Sequence, residues 1–154
     1  MLRVTNTRLP TRLPSSAHPI LLYDGVCGLC NRGVQLILRR DRNAIFRFAS
    51  LQSAFAARIL TRRGANPADL DTFYIVLNHG QPRESLIPRS DAMLFILRQL
   101  GGFWRFAGGL LALVPRPLRD WGYSRVVRSR YRIFGRYDTC PLPSEANRSR
   151  FLDL

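Results

Sequence analysis

The chain has 154 residues, 46% hydrophobic and 10% aromatic, which suits one domain with a buried core and excludes a disordered polyelectrolyte. Three cysteines are too few, and odd in number, for a secreted disulfide scaffold. The formal charge is +14 and every basic residue is arginine; nucleic acid, anionic lipid and acidic proteins would all be attracted, and the charge alone names none of them.

Residues 1–18 carry three arginines, two prolines and no acid, without an apolar stretch of signal-peptide length. They read as a disordered basic tail, although the composition would also suit an organelle transit peptide. Residues 19–154 then form a single domain, with the cytoplasm as its default location. Ile20 to Tyr23 make a continuous apolar run, the pattern of a strand buried on both faces. Asp24-Gly25 ends it, and a helix follows over 27–40 with a stripe at Cys30, Val34, Ile37 and Leu38. A second strand is expected over 45–49. A helix capped by Ser50 should then run to Arg63 and stop at Gly64. Phe73 to Leu77 is a third strand, joined through Asn78-His79-Gly80 to a fourth over 84–87.

The rest reads as helical. Segments at 90–100 and 103–114 are separated by Gly101-Gly102, and a last helix covers 118–134 with a stripe at Tyr123, Val127, Tyr131 and Phe134. Met93 to Val114 is long enough to span a bilayer, but Arg98, Gln99, Arg105 and the glycine pair argue for two packed helices. A surface-bound amphipathic segment is the lesser reading. The last 17 residues read as a docked or frayed tail. Strand, helix, strand, helix, hairpin and helix in that order is the α/β layout of a thioredoxin-like core, with a C-terminal helical extension.

The chemistry is concentrated in Tyr23-Asp24-Gly25-Val26-Cys27-Gly28-Leu29-Cys30-Asn31. Two cysteines three positions apart, between a buried strand and a helix, share one helical face and can meet in a disulfide. At the helix tip Cys27 faces unpaired backbone N–H groups, which can lower a thiol pKa from about 8.5 into roughly the 3.5–7.5 range. Cys27 is therefore the expected nucleophile. Cys30, expected to be the more buried, is the resolving thiol. Gly28 is expected to leave the approach to the sulfurs open. Asp24 is a candidate proton acceptor for Cys30 and equally a local cap. A zinc site completed by Cys140, His18 and His79 is the competing reading, but a second tightly spaced ligand pair is missing. No bound cofactor is required, because the cysteine pair itself carries two electrons.

Asp24-x-x-Cys27-x-x-Cys30 resembles the signature of the DCC family, predicted thiol-disulfide oxidoreductases of thioredoxin-like fold. Phe48-Ala49-Ser50-Leu51-Gln52-Ser53, Ser90-Asp91-Ala92, Leu100-Gly101-Gly102-Phe103-Trp104, Pro115-Arg116-Pro117-Leu118-Arg119-Asp120, Arg130-Tyr131-Arg132-Ile133-Phe134-Gly135 and Asp138-Thr139-Cys140-Pro141-Leu142-Pro143 are similar to segments of that family, so the resemblance covers about residues 19–152. It implies protein or small-molecule thiols and disulfides as partners. Thioredoxins place a cis-proline before the third strand; here that junction reads Leu70-Asp71-Thr72-Phe73, which predicts a different docking of substrate backbone.

Cys140 reads as a small buried hydrophobe, with a third redox thiol as the alternative. His18 and His79 are read as surface residues. Arg116 to Tyr137 interleaves seven arginines with five aromatics. Because Tyr123, Val127, Tyr131 and Phe134 share a stripe, the aromatics read as core and the arginines as a solvated face. A nucleic-acid or membrane-surface module with incidental cysteines is the last alternative.

Overall fold

The computed structural model describes residues 18–154, so the expected tail lies, but for His18, outside the described residues. Among these the chain forms β1 (Ile20–Tyr23), α1 (Gly28–Arg40), β2 (Arg47–Ser50), α2 (Ala54–Arg62), β3 (Tyr74–Leu77), β4 (Ser85–Pro88), α3 (Arg89–Leu100), α4 (Gly102–Leu113) and α5 (Arg116–Phe134), then a 3-10 turn at Glu145–Arg150. The strands lie in the order β2-β1-β3-β4. β1 pairs parallel with β2 and antiparallel with β3, and β3 pairs antiparallel with β4. This mixed sheet with its flanking helices is a thioredoxin-like core followed by C-terminal helices.

β1 is central and buried throughout, which is why its four residues are apolar without alternation. Leu21 and Tyr23 face a core with Val34, Ile37, Phe46, Phe48 and Phe95, whereas Ile20 and Leu22 face Ala56, Ile59 and Leu60 of α2. The strand thus serves two cores at once, one on each side of the sheet.

Several boundaries differ from the sequence reading. Ser50 does not cap α2; it closes β2, and Ser53 caps the helix by accepting the Ala56 N–H at 3.1 Å. Cys27 is the cap of α1, outside its first turn. α5 starts at Arg116, with Pro117 in its first turn where a missing N–H costs nothing. Gly101 and Gly102 have φ of +71° and +51°, which divides the apolar stretch into α3 and α4 as expected. Against α3, Gly108 allows close approach, since a Cβ there would lie 3.1 Å from the Leu97 Cβ. α4 leaves Phe103, Phe106, Leu110 and Leu113 exposed. No helix among the described residues is long and apolar enough to cross a membrane.

The tail is docked. Phe151 stacks on Phe48 with ring centroids 5.1 Å apart, Leu152 N–H donates to the Phe48 carbonyl at 2.9 Å, and Arg150 pairs with the buried Asp41. These contacts cover the edge of β2, which would otherwise present unpaired backbone groups.

Candidate active site

The chain leaves β1 at Tyr23 and turns through Asp24-Gly25-Val26 into α1. Cys27 sits at the N-cap in extended conformation, and its Sγ accepts the Cys30 N–H at 3.3 Å. The sulfur therefore takes the place of the usual capping oxygen, where helix N–H groups favour an anion. Asn31 braces the turn by donating to the carbonyls of Gly25 at 2.7 Å and Cys27 at 2.9 Å.

The two thiols lie within hydrogen-bonding reach of each other. That contact from Cys30 is the main influence lowering Cys27; burial opposes it, and the Cys30 N–H and Arg130 charge help bring the thiol down to about 6. Cys30 moves the opposite way, pushed up by its hydrogen bond to Cys27, by burial and by the neighbouring thiolate. One sulfur is set up to be charged and the other to keep its proton.

Asp24 is the hub beneath them. It is 2% exposed, and its Oδ1 accepts the Val26 N–H at 3.1 Å and the Gln52 amide at 2.7 Å. Oδ2 accepts from Arg130 at 3.0 Å and from the Tyr131 hydroxyl. Burial pushes the Tyr131 phenol up, so it stays protonated and donates. Arg130 is 3% exposed and also bonds the Leu70 carbonyl and the Asp71 carboxylate, at 3.2 and 3.0 Å. An ionised Asp24 alone would oppose a thiolate at Cys27; the guanidinium offsets that charge.

A C-terminal strap closes over the pair. Cys27 forms an antiparallel bridge with Arg136, Gly28 N–H donates to the Gly135 carbonyl at 3.1 Å, and Tyr137 N–H donates to the Val26 carbonyl at 2.7 Å. Contrary to the sequence reading, Cys27 is the fully buried cysteine and Cys30 is half-buried. The expected role of Gly28 is also corrected. A Cβ there would lie 2.1 Å from the Phe134 carbonyl oxygen, so the glycine admits the strap and does not open the site.

Residues 21–136 match the DCC1-like thiol-disulfide oxidoreductase family. The chain belongs to that family. It is 36% identical over 149 residues to the protein YuxK of Bacillus subtilis (strain 168), covering 97% of this chain and 99% of the relative. It is also 38% identical over 125 residues to a chloroplastic DCC family protein of Arabidopsis thaliana, covering 81% of this chain and 70% of the relative. No solved structure matches.

In this DCC1-like chain the fold gathers Asp24, Cys27 and Cys30 from the sequence motif and adds residues the motif did not mark. Gln52 comes from the turn after β2, and Arg130 and Tyr131 come from the end of α5, more than 100 positions away. Both segments are among those similar to the family, which is the signal the sequence carries for them; charge pattern alone assigns Arg130 to a solvated face. The other candidates have partners of their own. Cys140 Sγ lies 3.9 Å from the Tyr23 hydroxyl and packs on Gly25, where an added Cβ would meet it at 2.7 Å. His18 Nδ1 is 2.9 Å from the Ile45 carbonyl, and His79 pairs with Glu84 at 2.9 Å. The proposed zinc ligands are not brought together, and no group of three or more His, Cys, Asp or Glu among the described residues is placed to hold a metal ion.

Proposed function

We propose that this DCC1-like protein is a thiol-disulfide oxidoreductase in which Cys27 is the nucleophile, Cys30 the resolving thiol and Asp24 a proton acceptor. The observation that carries the reading is the Cys27 sulfur capping α1, its thiol lowered to about 6 while Cys30 is held protonated. At neutral pH the first thiol is then mostly a thiolate, the form that attacks disulfides.

The Cys27 thiolate attacks one sulfur of a substrate disulfide, forming a mixed disulfide and expelling the other half as a thiolate. With the Cys27 charge gone, the cause that held up Cys30 is removed. Its proton passes towards Asp24, and the Cys30 thiolate attacks the Cys27 sulfur. The Cys27–Cys30 bond forms as the second substrate thiolate leaves, so two electrons pass from the pair to the substrate. The expelled thiolates take up protons from solvent, and a thiol reductant restores the pair. Because Cys27 is covered by the strap at Gly135–Tyr137, attack requires those backbone bonds to open. A reducing compartment such as the cytoplasm would keep the pair in its dithiol form.

Thiol trapping across a glutathione redox series tests this. One reversible Cys27–Cys30 couple is expected, with Cys30→Ser accumulating mixed disulfides on Cys27 and Cys27→Ser forming none. Variants that both reduce a model disulfide at the parental rate would remove these cysteines from the chemistry.

A further inference from the structure

Behind Cys30, between α1, α3 and α5, lies a cavity of about 370 Å³. Its walls are aliphatic and aromatic, from Leu29 and Ile37 on α1 to Leu97 and Trp104, with Asp24, Asp71, Tyr123 and Arg130 at one end. Those polar groups are turned towards one another. Arg130 spans the two carboxylates, and the Tyr123 hydroxyl donates to the Asp71 carbonyl at 3.0 Å while accepting the Phe73 N–H at 2.9 Å. Arg130 Nε has no partner among the described residues, but it is shut off from solvent. Arg130 is thus committed to two carboxylates, and the cavity offers an anionic occupant no free cation.

Gly33 is the second observation. It lies one turn after Cys30 in the interior of α1, where glycine costs a helix about 1 kcal/mol against alanine. Its φ is not in the left-handed region, and a Cβ built on it meets nothing within 4 Å. Neither backbone conformation nor close packing calls for glycine. What its missing side chain does is leave space, and that space is the cavity.

We propose that this cavity is a substrate subsite of the redox pair, taking the uncharged, apolar group of a low-molecular-weight disulfide whose S–S bond reaches past Cys30 to the Cys27 sulfur once the strap opens. The volume is within the range of small-molecule sites, and the burial of an apolar group provides the binding energy. The assignment rests on the oxidoreductase reading, and the chemistry is the two-electron exchange already written: the substrate S–S bond breaks and the Cys27–Cys30 bond forms.

The test uses the full chain, reduced, with two readouts. The first is fluorescence binding of N-phenyl-1-naphthylamine, a neutral apolar probe with no redox role. The second is the ratio of kcat/KM for neutral 2,2′-dithiodipyridine over charged glutathione disulfide, each normalised to its rate with free dithiothreitol. Gly33→Phe fills the cavity and is expected to weaken probe binding and lower that ratio about tenfold or more, with Gly33→Ala between it and the parent. Val127→Phe, from the opposite wall, gives the same result if Gly33→Phe fails to fold. Probe binding insensitive to both fillings overturns the cavity as a ligand site. Probe binding lost while the ratio stays unmoved overturns its role as a substrate subsite. A parent that binds the probe but reduces neither disulfide sinks the oxidoreductase reading, and the subsite with it.

Discussion

Substituting Gly28→Ala tests whether the strap controls access to Cys27. The new Cβ would lie 2.1 Å from the Phe134 oxygen, 3.0 Å from its carbonyl carbon and 3.2 Å from the Gly135 oxygen. A carbon and a carbonyl oxygen ordinarily approach to about 3.3–3.6 Å, so the strap must retreat by roughly an ångström. Such a shift breaks the Gly28–Gly135 hydrogen bond at 3.1 Å and pulls on the Tyr137–Val26 bond at 2.7 Å. At about 1 kcal/mol for each bond, the closed form loses about 2 kcal/mol, which raises the open population roughly thirtyfold. The helix itself gains from alanine, so α1 stays intact. The assay is iodoacetamide labelling at neutral pH under conditions where opening limits the yield, followed by peptide mapping. Cys27 should label about thirty times faster in the variant. A folded Gly28→Ala protein that labels Cys27 at the parental rate refutes the argument that this strap closes the site.

Further outcomes follow from the structure. The ultraviolet absorbance of thiolate in the reduced protein should titrate with a midpoint near 6, owing to Cys27, and vanish in Cys27→Ser. Because this acid is lowered on folding, the reduced protein gains stability as pH rises from about 6 towards the ordinary thiol value near 8.5, and loses it as pH falls through 6. Arg130→Met strands Asp24 without its cation and should cost about 3–5 kcal/mol in urea unfolding, while moving the Cys27 midpoint upward. Burial pushes the Glu84 carboxyl up, but Arg62, the Gly80 N–H and His79 outweigh it and hold it at about 2. That interaction is present above about pH 4.5 and lost as pH falls towards 2, so Glu84→Gln should flatten acid unfolding by on the order of 3 kcal/mol across that window. Finally, mass mapping of the mildly oxidised protein should find the Cys27–Cys30 bridge with Cys140 still a free thiol, since Cys140 packs on Gly25 and Tyr23; a dominant Cys27–Cys140 bridge would reverse that assignment.

The order of elements, the mixed α/β class and the cysteine pair at a helix start are legible in the sequence, because each is a local matter. Apolar runs, helical spacing, glycine stops and the i, i+3 geometry of Cys27 and Cys30 act over a few residues and are readable there. The sequence erred by a few positions where two candidates competed for one role, as when Ser53 and not Ser50 capped α2. The other features of the site depend on chain segments far apart meeting in space. Arg130 reads locally as one more arginine on a basic helix, and becomes the buried partner of Asp24 only because α5 crosses the end of β1. Gly28 reads as an open approach until the carbonyl of Phe134 is found against it. The relative burial of Cys27 and Cys30 is likewise set by the strap at Gly135–Tyr137, whose backbone hydrogen bonds carry no side-chain signature that a sequence could display.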